Sequence, residues 1–269
     1  MQLRAIIEFL ERFAPAELAE KWDNTGLILG DDTTDVLRVM TCLTLTSDVA
    51  AEAVARQAQL VISHHPLLFR AVQRLNSSTV EGRLILQLLQ AGVQVYSPHT
   101  AFDSARFGIN QQLAESLELE EIRPLRPAGE SLPGAGGARF GTLPGPVPLG
   151  TFIHQLCRRW NLPGVQYVGQ TDRVLTKVAV ACGSAAEFLE DAQAAGCDVL
   201  VTGEARFHAC LEARERQIGL ILAGHFQTER PGIEALAARL QTTFPELTVW
   251  SSQVECAPLV WHLPSAEQA

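Results

Sequence analysis

The stretch Leu60-Val61-Ile62-Ser63-His64-His65-Pro66 joins a short apolar run to two imidazoles. Such a run is typical of a buried strand, and Pro66 ends it. The two histidines therefore follow the carboxyl end of a strand, where α/β folds usually place their chemistry. Because adjacent strand residues point to opposite sides, the pair is suited to giving one nitrogen to each of two neighbouring ions. The pattern predicts one wall of a two-metal site.

The composition is that of a globular chain, with 47% hydrophobic and 19% charged residues among 269. This length allows one large domain or two α/β lobes of ordinary size. The net charge of −9 argues against non-specific nucleic-acid binding, which requires an electropositive surface. We therefore expect no nucleic-acid partner.

The cysteines and the apolar runs allow predictions about the cellular compartment and about membrane association. Six cysteines are scattered through the sequence without any C-x-x-C pair, which predicts reduced thiols and a cytoplasmic protein. No apolar run approaches the roughly 20 residues of a membrane span. The first residues have the pattern of an amphipathic helix that carries acids, not of a signal peptide. We expect no membrane partner.

Strand and helix patterns alternate along the chain and predict an α/β fold with two similar lobes. We expect a first lobe over residues 1–123 and a second over 151–269, closed by strands over 247–250 and 258–262. Residues 124–150 contain six prolines and seven glycines, a composition typical of a connector. The connector is too short to be an inserted domain.

An internal repeat relates the two lobes. The sequence Leu60–His64 matches Leu200–Glu204, and one helix and one strand later His99-x-x-x-Asp103 matches His225-x-x-x-Glu229. Each half thus ends one strand in a ligand-type residue and the next strand in H-x-x-x-[D/E]. Repeats of this size suggest two βαβ lobes that face each other. The polar strand ends are expected to converge in the cleft between them, where they would form a dinuclear metal site.

Histidine and carboxylate ligands suit divalent first-row metals such as Zn, Mn, Fe, Ni or Co. A spacing of four residues would place His225 and Glu229 on one face of a helix that began there. However, Pro231 suits the first turn of a helix, so we expect the helix to start near 231 and His225 to lie in the preceding loop. His99 is expected to orient Asp103 without binding metal.

Glu204 occupies the position in the second lobe that His64 occupies in the first. It is a candidate general base, with His208 one helical turn further on as a residue that could orient it. The alternative is that Glu204 is an acid at a helix N-terminus that complements the helix dipole.

Residues Trp22-Asp23-Asn24 lie in a cluster that favours a turn. One interpretation is a tight turn in which Asp and Asn bond their own backbone and Trp22 acts as a packing lid. The other is that the turn lines the site.

Five motifs occur in a fixed order along the chain: Trp22-Asp23-Asn24-x-Gly26-Leu27, Ile62-x-His64-His65-Pro66, His99-Thr100-x-x-Asp103, Thr202-Gly203-Glu204-x-x-x-His208 and His225-x-x-x-Glu229. Together they resemble the NGG-interacting-factor-three-like family, also labelled the GTP cyclohydrolase 1 type 2 family. The resemblance extends from about residue 3 to residue 262.

The resemblance implies a two-lobed α/β fold with two divalent metal ions per chain and a toroidal homohexamer. The metal ligands that it implies are His64, His65, Asp103, His225 and Glu229, with Glu229 as the bridging carboxylate. The implied activity is that of a metal-dependent hydrolase acting on a nucleotide-like substrate such as GTP. The alternative is a ring-shaped metal-binding regulatory or interaction protein without turnover. Thr44 stands where family members usually carry an aspartate.

Overall fold

In the computed structural model, residues 1–262 are described, and they form helices and strands in a mixed α/β arrangement. The α-helices are α1 Leu3–Phe13, α2 Ser47–Ala55, α3 Val80–Gln90, α4 His99–Ser104, α5 Ile109–Ser116, α6 Leu149–Arg159, α7 Leu189–Ala194, α8 Phe207–Glu215 and α9 His225–Thr243. The strands are β1 Gly26–Leu29, β2 Arg38–Cys42, β3 Leu60–Ser63, β4 Gln94–Ser97, β5 Glu120–Arg123, β6 Arg126–Pro127, β7 Gly136–Gly137, β8 Arg139–Pro148, β9 Gln166–Val168, β10 Val174–Ala181, β11 Val199–Thr202, β12 Gly219–Leu222 and β13 Thr248–Ser251.

The first sheet has the strand order β1-β4-β3-β2-β13. Strands β2, β3, β4 and β13 run parallel, whereas β1 is antiparallel to β4. Every residue of β3 is buried, because the strand lies between β2 and β4 in a sheet covered on both faces. This explains its continuous apolar run. The carboxyl ends of β3 and β4 lie at the same edge of the sheet and bring His64, His65 and His99 close together.

The second sheet has the order β5-β8-β10-β11-β12-β9. Its central strands β10, β11 and β12 are parallel, and their carboxyl ends lead to Cys182, Gly203 and Gly224. Glu204 and His225 follow the ends of β11 and β12, so each sheet has ligand-type residues after adjacent parallel strands.

Helix α9 joins the two sheets. It begins at His225 after β12 of the second sheet, and its C-terminal end leads to β13, which pairs with β2 of the first sheet. Ile233 and Leu240 of α9 lie in one apolar cluster with residues from both sheets, such as Val39 and Val201. The predicted helix start near 231 is wrong. Proline lacks one backbone donor, but buried contacts on both sides of it keep this helix continuous.

Residues 124–150, which were predicted to form a connector, contain three strands, β6, β7 and β8. Strand β8 is ten residues long and pairs with β5 on one side and β10 on the other. Its glycines and prolines indicated a loop, but pairing with partners distant in sequence overrides that local preference. The preceding β6 and β7 form a two-stranded sheet of their own.

The end of the chain also differs from the prediction. Strand β13 belongs to the first sheet, although it was assigned to the second lobe, and residues 258–262 form no strand. The last part of the predicted second lobe, 263–269, lies outside the described residues. Among residues 1–262, no helix is both long and apolar enough to cross a membrane.

Candidate metal centre

His64 and Asp103 follow strands β3 and β4 of the first sheet and lie on one side of the centre. His64 Nε2 is 3.5 Å from Asp103 Oδ1, and the His64 side chain is fully buried. Burial lowers the pKa of the His64 imidazole to about 3. Burial, together with the nearby charge of Glu229, raises the pKa of the Asp103 carboxyl to about 7. Burial therefore makes the charged forms of both side chains unfavourable unless a further group binds beside them.

Glu229 lies between this pair and two more histidines. Its Oε2 is 3.1 Å from His65 Nε2 and 3.0 Å from His225 Nε2, while its Oε1 is 3.9 Å from His64 Nε2. Burial alone would raise the pKa of the Glu229 carboxyl, but its bonds to His225 and His65 outweigh burial and hold the pKa well below its usual range. The hydrogen bond to Glu229 raises the pKa of His225 to about 9. The two carboxylate oxygens face different histidines.

Gly183, which follows β10, allows this close arrangement. It has a φ of +64°, and a Cβ at this position would lie only 2.3 Å from Glu229 Oε1. Any other residue would both strain the backbone and displace the carboxylate. The position of Glu229 therefore depends on a glycine contributed by the second sheet.

Three histidines of the centre are oriented through Nδ1. His65 Nδ1 lies 2.7 Å from Thr44 Oγ1, His225 Nδ1 lies 3.3 Å from Glu204 Oε1, and His99 Nδ1 lies 2.6 Å from Asp23 Oδ1. A carboxylate accepts hydrogen bonds only, so the contact with Asp23 places a proton on His99 Nδ1 and directs its Nε2 elsewhere. Groups that fix an imidazole in this way are typical of metal centres.

His99 has a different neighbour from the one expected. Within residues 1–262 no hydrogen bond joins it to Asp103; its partner is Asp23. The ligand-type atoms of His64, His65 and His99 lie within 4.8 Å of one another, as do those of His65, His225 and Glu229. His99 is therefore part of the cluster itself.

Glu204 and His208 are not in contact with each other as expected. Glu204 contacts His225, which is the position of a carboxylate that orients an imidazole. His208 is exposed, and its ring packs against Phe207. In the described part of the chain no hydrogen bond joins His208 to Glu204.

The orienting roles of Thr44 and Asp23 were not predicted from the sequence. The only signal at Thr44 was that family members usually carry an aspartate at this position. Asp23 accepts hydrogen bonds from the backbone N–H groups of Asn24 and Thr100 as well as contacting His99. A local turn and a site-lining role are therefore both correct for this residue.

The residues present fit divalent cations. His64 Nε2 and Asp103 Oδ1 are buried and have no hydrogen-bond partner among the described residues, although they lie close together. Leaving a buried polar atom unpaired costs about 1–3 kcal/mol. A cation would satisfy both lone pairs, and a set of imidazoles and carboxylates suits first-row metals.

The centre opens into a cavity of about 440 Å³, within the size range of small-molecule sites. Its walls come from both sheets, including His65 and His99 from the first and Cys182 and His225 from the second. A small molecule in this cavity would contact the histidine–carboxylate cluster directly.

The fold and the cluster define a mixed α/β protein with a histidine–carboxylate centre suited to metal binding. The sequence matches the family described as Duf34/NIF3 (NGG1p interacting factor 3) over residues 1–258. The chain belongs to the Duf34/NIF3 family, which confirms the resemblance inferred from the motifs.

Individual relatives agree with this assignment. The chain is 30% identical over 241 residues to a Clostridium acetobutylicum protein named GTP cyclohydrolase 1 type 2 homolog, with 90% of each protein covered. It is 31% identical over 264 residues to NIF3-like protein 1 of Drosophila melanogaster, which covers 96% of this chain and 89% of that protein. The crystal structure of Staphylococcus aureus protein SA1388 matches with a TM-score of 0.87 at 24% identity, covering 97% of this chain and 99% of that one. The last similarity supports the fold alone.

Proposed function

We propose that this protein is a metal-dependent hydrolase that acts on a small nucleotide-like substrate. The proposed ligands of two divalent ions are His64, His65, Asp103, His225 and Glu229. The observation that carries the proposal is the position of Glu229, whose Oε1 faces His64 and whose Oε2 faces His65 and His225. Such a carboxylate is suited to bridging two ions, one on each side.

Bound divalent ions would supply Lewis-acid activation of water at neutral pH. The other tasks fall to the chain's own residues. Thr44 and Glu204 hold the imidazoles of His65 and His225 in one orientation. In this proposal His99 moves protons, because Asp23 keeps its Nδ1 protonated and leaves an Nε2 lone pair near the pocket.

GTP is the first substrate to test, because the Clostridium acetobutylicum relative is named a GTP cyclohydrolase 1 type 2 homolog. We expect the protein, loaded with Mn or Zn, to open the imidazole ring of GTP or of a related purine compound and release formate. His99→Gln should reduce formate release by about 100-fold, the usual size of a general acid–base contribution, without loss of metal.

Formate release and metal content are measured on the same samples. A chain that holds two ions but releases no formate from purine nucleotides or nucleosides would contradict this activity. It would favour the metal-binding regulatory protein instead.

Thr44 provides a test of the orienting contacts. Thr44→Val removes the hydroxyl beside His65 Nδ1 while preserving the shape of the side chain. We expect metal affinity to fall by about 10- to 100-fold, as is typical when such a contact is lost. Titration against a coloured chelator measures this, with Thr44→Ser as the matched control that keeps the hydroxyl. Equal affinity of Thr44→Val and the wild type would show that this contact does not tune the centre.

We also propose that the chain assembles into the toroidal homohexamer that the family resemblance implies. Light scattering coupled to size-exclusion chromatography should give six times the mass of one chain. A monomeric or dimeric mass would rule out this assembly.

A further inference from the structure

The turn Trp22-Asp23-Asn24 contacts the candidate site in three ways. Asp23 holds His99, as described above. The Asn24 Nδ2 amide donates a hydrogen bond to the Leu68 carbonyl, 2.5 Å away, and so fixes the backbone next to Phe69. The Trp22 ring lies 5.8 Å from the Phe69 ring and 6.0 Å from the His99 ring. The turn thus assembles an aromatic surface beside the cluster.

Trp22 and Phe69 are exposed even though they are large and apolar. Their exposed fractions are 59% and 50%, and both line the same cavity as His65 and Asp103. Leaving two adjacent aromatic rings in water forgoes the free energy that their burial would release. Adjacent exposed aromatic groups that line a pocket are characteristic of a surface that a ligand covers.

The charges that line the cavity restrict the ligand further. Its ionisable residues are carboxylates, histidines and one thiol: Glu20, Asp103, Glu187, Glu229, His65, His99, His225 and Cys182. Among residues 1–262, no lysine or arginine lines this cavity. Glu20 and Glu187 are exposed in this lining and would disfavour a phosphate group placed beside them. The same carboxylates would accept hydrogen bonds from ring or exocyclic N–H groups.

We propose that Trp22 and Phe69 form an aromatic platform that binds the planar ring of an N–H-bearing heteroaromatic substrate, of the class of a purine base or nucleoside without a triphosphate. This inference deepens the proposed hydrolase function and rests on it for the reaction, but the platform itself acts by stacking. Aromatic stacking does not require a particular base, because every base has a π-face. The carboxylates would then select rings that carry donors.

Calorimetric titration of the full-length protein with guanosine, GTP and ribose 5-phosphate tests the platform. We expect guanosine to bind at least as tightly as GTP, and ribose 5-phosphate not to bind. Trp22→Ala and Phe69→Ala should each weaken guanosine binding by about tenfold, which corresponds to the loss of one stacking contact. Trp22→Phe should retain most of the affinity.

Phe207→Ala is the matched control, because Phe207 is 71% exposed on α8 and does not line the cavity. It should bind guanosine as the wild type does. The platform is overturned if guanosine does not bind, if both platform variants bind it like the wild type, or if GTP binds at least tenfold more tightly. If Trp22→Ala and Phe69→Ala bind guanosine as the wild type does but have a smaller mass than the wild type in light scattering, the two rings form a contact between copies of the chain. That result would likewise overturn the platform.

Metal content, measured on each sample before and after chelation, distinguishes a failure of the hydrolase proposal from a failure of the aromatic platform. The hydrolase proposal fails if the wild type binds no metal or shows no turnover. The platform fails only on the nucleoside and nucleotide titrations and the light scattering, because stacking on Trp22 and Phe69 does not require the ions.

Discussion

Glu229→Ala is expected to abolish binding of both divalent ions. One Glu229 oxygen faces His64 and the other lies within 3.1 Å of His65 and His225, so the substitution removes a ligand from both halves of the centre. It also leaves the imidazoles without the buried negative charge that would balance a cation. Plasma mass spectrometry after dialysis should give about two ions per wild-type chain, the number that a bridged pair requires, and close to none for the variant.

Glu234→Ala is the matched control, because Glu234 lies on the same helix but is exposed and contacts Arg230. It should keep the wild-type metal content. The double variant His64→Ala/His65→Ala should lose both ions, as Glu229→Ala does. Retention of two ions by Glu229→Ala would contradict the bridging role.

The second large effect is expected at Arg139. Its side chain is fully buried, and burial lowers the pKa of its guanidinium to about 10. The guanidinium donates to four backbone carbonyls and one amide oxygen, those of Ala105, Gly134, Gly136, Ala138 and Gln111. Ala105 directly follows α4, which carries Asp103, so Arg139 on β8 ties the segment with Asp103 to the second sheet.

Arg139→Ala should lower the free energy of unfolding by about 3–5 kcal/mol, because it opens a cavity and leaves several buried carbonyls unpaired. Urea unfolding followed by circular dichroism measures this. Arg4→Ala is the control, since Arg4 is exposed and forms an ion pair with Asp32; it should cost less than about 1 kcal/mol. A loss at Arg139 no larger than the loss at Arg4 would show that its hydrogen bonds do not hold the sheets together.

The parts of the fold that could be predicted are those with a local signal. The apolar run before His64 indicated a buried strand, and the repeat paired it with the strand before Glu204. The start of α9 could not be predicted, because Pro231 is a strong local signal for a helix start and the buried contacts that override it are not local. The length of strand β8 could not be predicted for the same reason: only a short strand over 138–140 was expected, and its pairing with β10 outweighs the glycines and prolines that follow.

The candidate site shows the same limit. Residue type and spacing identified the histidines and carboxylates of the cluster, because their chemistry is visible in the sequence. The partners that orient them are distant in the sequence: Asp23 and His99 are 76 positions apart, and Thr44 and His65 are 21 positions apart. No local pattern encodes such a contact.

The most direct test of the two-ion centre is a crystal structure of the metal-loaded protein with anomalous data collected on both sides of the metal's absorption edge. We predict two anomalous peaks, one beside His64 and Asp103 and one beside His65 and His225, with Glu229 between them. A single peak, or two peaks that Glu229 does not contact, would contradict this prediction.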